Sequence, residues 1–211
     1  MSTPEKEMSS VIEQMIQTSL AAQALRISNQ WEPRISGVLT NAAHALARRL
    51  GPVFAQMGAA PADPGRRAQL AAALPGLIAE VASQQAERAV EVLMDMVSQE
   101  MREILEAATI NGLTMDIPRL DLREMDDREL ARALAGGQAL SESVAKSAAE
   151  LTDRLLALLA DSEEPAAEQA SLPEGLDQAL KWWRARLGSM ASTVTHAVFN
   201  RAKTAAVEAL A

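Results

Sequence analysis

Few side chains in this sequence could carry covalent or metal chemistry. His44 and His196 are its only imidazoles, and it has no cysteine. Without thiols there is no disulfide framework, no thiolate nucleophile and no cysteine-bearing zinc site. A metal site on a helix wants Glu or a second His three or four residues away, as in the Glu-x-x-His pattern of di-iron bundles. His44 has Asn41 and Arg48 at that spacing, and Thr193 stands three before His196. Both histidines therefore read as structural or surface residues. Carboxylates are plentiful on the stretch holding Glu80, Glu87, Glu91, Asp95, Glu100, Glu103 and Glu106. Acid-base work or a hard cation would need them fixed at defined separations around a pocket. Glu87, Glu91 and Asp95 recur at four-residue steps, where like charges repel. They read as a solvated face, with an arginine-bearing partner surface as the alternative. Gly136-Gly137 and the region around Gly58 lack the spacing and lysine of a phosphate loop, and no serine sits in G-x-S-x-G. The expectation is a non-enzymatic protein with no catalytic residue, no metal and no cofactor.

The chain has three Trp, two Phe and no Tyr, and two of these five aromatics are adjacent. Trp182 and Trp183 stand among Lys181, Arg184 and Arg186. Neighbours on a helix point about 100° apart, so one indole can enter the core while the other meets a partner. Tryptophan and arginine are enriched in binding hot spots, and Trp182, Trp183, Arg184 and Arg186 form the candidate partner-binding patch. The alternative is that both rings are buried locally and anchor the last helices.

The elements that must position this patch are helical. Apolar residues make up 48% of the 211 residues, yet only 2% are aromatic, so the core must be built by Ala, Leu, Val and Met on closely packed helices. Thr3-Pro4 suits a helix start, and Val11, Met15, Leu20 and Leu25 follow near helical spacing. Trp31-Glu32-Pro33 interrupts as a kink or a turn, since the residue before proline is pushed out of helical geometry. Ile35, Leu39, Ala42, Leu46 and Leu50 mark a second helix ending at Gly51-Pro52, and Gly58 to Gly65 reads as a linker. The strongest periodicity, Ile78, Ala82, Ala86, Ala89, Leu93, Val97, Met101 and Ile104, predicts one long helix over about 75–108, about 50 Å at 1.5 Å per residue. Asn111-Gly112 ends it. Residues 113–125 carry the one stretch of strand character. Asp126 or Asp127 caps a helix to Leu134, and Ser141 or Ser143 caps the next, with Val144, Ala148, Leu151, Leu155 and Leu158 on one stripe. Residues 161–170 read as an acidic linker. Ser171 and Glu174 form a capping box, and Gly188 interrupts the helix that follows.

From residue 171 onward the sequence SLPEGLDQALKWWRARLG, followed by SMASTVTHAVFNRAKTAAVEALA, resembles a helical portion of phage head-morphogenesis proteins, the minor head proteins associated with the portal. Ala191, Thr193, Phe199, Asn200, Ala202 and Lys203 match the later part of that pattern; Ser192 and Val194 depart from it, standing where the family favours Arg and Glu. The resemblance covers about 40 residues and implies a virion or head-assembly component, with no catalytic residue.

Together these features predict an all-α fold, an elongated multi-helix bundle of five to eight helices around the long helix at about 75–108. Its parts are an N-terminal helical hairpin or kinked helix (1–57), a central helical region (66–160) and a C-terminal helical segment (171–211) after the acidic linker. The net charge of -8 and pI near 4.9 make nucleic acid a poor partner. Charge is uneven, however: residues 111–170 hold thirteen acids against six bases, and 171–211 hold three against five. Such asymmetry suits head-to-tail docking of like subunits or an acidic partner. No run approaches the roughly 20 apolar residues that cross a bilayer, and Met1–Met8 lacks the order of a signal peptide, so a cytoplasmic or virion setting is expected. Contact with a protein partner or self-association is the expected work. The alternative is a helical-bundle binding module or regulator holding an apolar ligand in an Ala- and Met-lined cavity.

Overall fold

The computed structural model describes residues 21–59, 63–110, 136–161 and 171–210, and these are almost entirely helical. The fold is all-α. A helical turn over 21–26 leads into a π-helical turn, Ile27–Trp31, and four long helices follow: α1 Glu32–Ala59, α2 Pro64–Ile110, α3 Gly137–Asp161 and α4 Leu172–Leu210. The helix starting at Thr3, the strand-like stretch 113–125, the helix at 126–134 and the linker residues 162–170 lie outside the described residues.

Cross-helix contacts fix the direction of each helix. Gly58 lies beside Pro173 and Ser36 beside Gly188, so α1 and α4 are antiparallel. Ser147 meets Trp183 and Leu158 meets Gly175, so α3 and α4 are antiparallel. Arg66 reaches Gln56, and Trp31 reaches Glu100, so α1 and α2 are antiparallel as well. The result is an up-down-up-down four-helix bundle. The 47-residue α2 is its longest member, about 70 Å at 1.5 Å per residue. Residues from every helix enter one core, from Ile27 to Ala202. Ala42, Ala82, Ala86, Ala89, Ala148 and Ala191 are buried at its seams, where small side chains let helix axes approach. The stripe Ile78, Ala82, Ala86, Ala89, Leu93 and Val97 is buried throughout, as its spacing requires.

Several expected breaks are bridged among the described residues, and the helix expected from about residue 75 begins at Pro64. At Pro33 the backbone inserts one residue: the Glu32 N–H donates to the Ile27 carbonyl five residues back. This π turn keeps the chain helical and leaves Ile27, Trp31 and Ile35 all buried. Pro52 lies inside α1 and Pro75 inside α2. An interior proline costs about 3 kcal/mol, but Leu50, Phe54 and Met57 flank Pro52 and are buried, each contributing about 1.5–3 kcal/mol. Packing wins. Both prolines are exposed, so the missing hydrogen bonds fall on the solvent side. Gly188 likewise lies within a continuous α4, between fully buried Leu187 and Ala191.

The helix starts follow local chemistry. The Ser171 N–H donates to Glu174 Oε2 at 3.0 Å, the glutamate half of the expected capping box. Asp63 Oδ1 accepts from the Gly65 N–H at 2.9 Å at the start of α2. At α3 the expected serine caps are corrected: the helix begins earlier, at Gly137, after Gly136 with φ +57°. The Ser141 and Ser143 hydroxyls instead donate back to the Gly137 and Ala139 carbonyls at 2.9 and 2.8 Å.

Candidate protein-contact site

The four candidate residues of α4 face in different directions. Trp183 is fully buried; its Nε1–H donates to Ser147 Oγ at 3.0 Å, and that hydroxyl donates to the Val144 carbonyl at 2.8 Å. This corrects its placement in a partner-facing patch: Trp183 is the neutral anchor that joins α4 to α3. One position earlier and about 100° around the helix, Trp182 is half-buried, with the Arg154 guanidinium over its ring at 4.0 Å from the centroid. Arg186 makes a long ion pair with Glu150 at 3.5 Å. Arg184 is exposed and has no ion-pair partner among the described residues. The surface part of the patch is therefore Trp182, Arg184 and Arg186, with Arg154 added from α3.

The structure also extends the basic surface beyond the patch singled out from the sequence. From residue 178 to 204, α4 carries Lys181, Arg184, Arg186, Arg201 and Lys203 and no acid. Between Arg186 and Arg201 a groove of about 360 Å³ runs along α3 and α4, with Leu140, Met190, Val194 and Val198 in its apolar lining and no acidic residue on its walls. Ser189, Thr193, Ala197 and Arg201 recur at four-residue steps beside it. That spacing is the sequence signal that could have located the groove.

The acidic face of α2 is only partly as expected. Glu80, Glu87, Glu91 and Asp95 are exposed. Glu100 is not: it is 1% exposed and accepts from Trp31 Nε1 at 3.1 Å and from Arg26 Nη2 at 3.1 Å. Arg26 also pairs with Glu103. The hydrogen bond to Glu100 raises the Arg26 guanidinium above the ordinary arginine value, burial opposes this, and the charges of Glu100 and Glu103 add to the rise. Residues 69 and 74 positions from Glu100 complete this cluster, so helical periodicity alone could not separate Glu100 from its solvated neighbours. His44 is exposed, and His196 Nε2 lies 3.4 Å from Glu32 Oε2. Among the described residues no three His, Asp or Glu side chains are grouped to hold a metal ion, and no helix is long and apolar enough to cross a membrane.

A second groove, of about 580 Å³, separates α2 from α3 and is lined largely by alanines, including Ala79, Ala82, Ala86, Ala145 and Ala149. No methionine lines it.

No protein family matches the chain, and no curated protein or solved structure is detectably similar to it.

Proposed function

We propose that this chain is a non-enzymatic structural or assembly protein that works through protein-protein contact. The observation carrying this reading is the segregation of exposed charge: α4 is purely basic from 178 to 204, while α2 exposes Glu80, Glu87, Glu91 and Asp95 against Arg88 alone over 80–95. A bundle needs no such separation to fold, because surface charges contribute little to stability. Opposite-signed faces do steer and orient a partner. Trp182 and Arg184 supply side chains of the types that dominate binding energy. The resemblance of residues 171–211 to phage head-morphogenesis proteins makes head assembly the proposed setting. A photo-crosslinking amino acid at position 184, introduced in cells that make the full chain, is expected to give a discrete adduct with another protein chain. A control at exposed Asn41 on α1 reports background. Recovery of unmodified chain alone from position 184 would overturn the reading.

A second reading rests on the alanine-lined groove between α2 and α3: a binding module that holds an apolar ligand there. Native mass spectrometry of protein isolated from cells tests it, since a retained small molecule favours it and a bare chain removes its support.

A further inference from the structure

We infer that the groove between α3 and α4 receives the acidic ridge of α2 from a second copy of this chain. This rests on the protein-contact reading and names its partner. The groove is framed by Arg186 and Arg201, fifteen residues apart on α4, which is about 22 Å along a helix axis at 1.5 Å per residue. On α2, Glu80 and Asp95 are also fifteen residues apart, with Glu87 and Glu91 between them. The two rows therefore have the same length and opposite sign. Small side chains border the groove, Ala139, Ser143, Ser189 and Ala197 among them, leaving room for a helix ridge to lie along its mouth over the apolar floor.

The charges are free to make the exchange. Arg201 has no ion pair among the described residues, and neither do Glu87, Glu91 and Asp95. The pairs that Arg186 makes with Glu150 and Glu80 makes with Arg49 are both 3.5 Å long and join half-exposed side chains, the kind of pair that contributes little. The net charge of -8 opposes association at long range. At about 0.1 M salt the screening length is about 10 Å, so overall repulsion is damped while side chains in contact still attract.

Groove and ridge are different surfaces of one chain, so the contact is heterologous, and successive copies close into a ring or extend as a filament. Association should therefore continue past the dimer as concentration rises.

Sedimentation velocity on the full chain tests this. At about 0.1 M salt the expected result is concentration-dependent species larger than a dimer, reduced to monomer near 1 M salt, where screening acts within about 3 Å. Arg186→Glu/Arg201→Glu and, separately, Glu91→Arg/Asp95→Arg should each weaken association at least tenfold. A chain carrying all four changes should recover it. Arg186→Ala/Arg201→Ala guards against misfolding of the reversed variant, with far-ultraviolet circular dichroism confirming helix content throughout. A wild-type chain that stays monomeric, or association that both arginine variants leave unchanged, overturns the inference. A monomer that still crosslinks from position 184 to a different protein overturns it while leaving the protein-contact reading intact; a monomer without crosslinks overturns both.

Discussion

Trp31 and Trp183 solve the same problem at two places in the bundle with opposite chemistry. Both indoles are buried, and both donate Nε1–H to a residue of a neighbouring helix. Trp183 uses a neutral hydroxyl, Ser147, which is satisfied in turn by its own helix backbone. Trp31 uses the carboxylate of Glu100, which brings Arg26 with it and, through Arg26, Glu103. Hydrogen bonds to charged groups are stronger than neutral ones, but a buried charge must keep its partners or become a liability. The α1–α2 end is thus a charged lock whose strength depends on every member. The α3–α4 seam is a simple pin.

The largest test of that contrast is Glu100→Ala. It strands the Trp31 N–H and removes the partner of Arg26, which is 35% exposed and so keeps part of its hydration. A loss of about 3 kcal/mol is expected, at the lower end of what breaking a buried pair costs, read from the urea unfolding midpoint. A loss below about 1 kcal/mol would show that the lock contributes little. Next in size is Ser147→Ala, which leaves one neutral indole N–H unpaired and should cost about 1–2 kcal/mol. That cost should be the same at low and high salt, whereas the cost of Glu100→Ala should shrink with salt because its outer members, Arg26 and Glu103, are partly exposed. Equal salt dependence in the two variants would erase the distinction.

The fold was legible where one helix face decides burial. The stripe from Ile78 to Val97 and the capping glutamate at Glu174 both follow from residues within a few positions of one another. What was not legible depends on distant partners. Pro52 and Gly188 looked like breaks, and Pro75 like a helix start, because local propensity disfavours them inside a helix, and neighbouring core residues outweigh that preference. Glu100 looked like its solvated neighbours because Arg26 and Trp31 meet it across more than 65 positions of sequence. The tryptophan pair showed that one ring can enter the core, without showing which; the structure assigns that role to Trp183.

Two smaller tests sharpen the comparison on the pin side. Gly188 in α4 has only Ser36 Oγ, at 3.8 Å, near the place a methyl group would occupy. Gly188→Ala should therefore raise stability by about 0.5–1 kcal/mol through helix propensity, seen as a higher thermal midpoint. A decrease would mean that α1 and α4 pack more tightly there than the structure shows. The smallest effect is expected for Arg184→Ala, within about 0.5 kcal/mol in urea unfolding, as for other surface changes. A larger cost would make Arg184 part of the α3–α4 seam and remove it from the proposed contact surface.

The burial of these two indoles also equips the molecule with its own spectroscopic labels. With no tyrosine and only three tryptophans in the chain, ultraviolet fluorescence comes almost wholly from indole. One emitter sits beside a carboxylate in the α1–α2 lock, another beside a hydroxyl in the α3–α4 seam, and Trp182 lies under an arginine. Single-tryptophan variants would let the α1–α2 lock and the α3–α4 seam be watched separately as the protein unfolds or assembles, without attaching a dye.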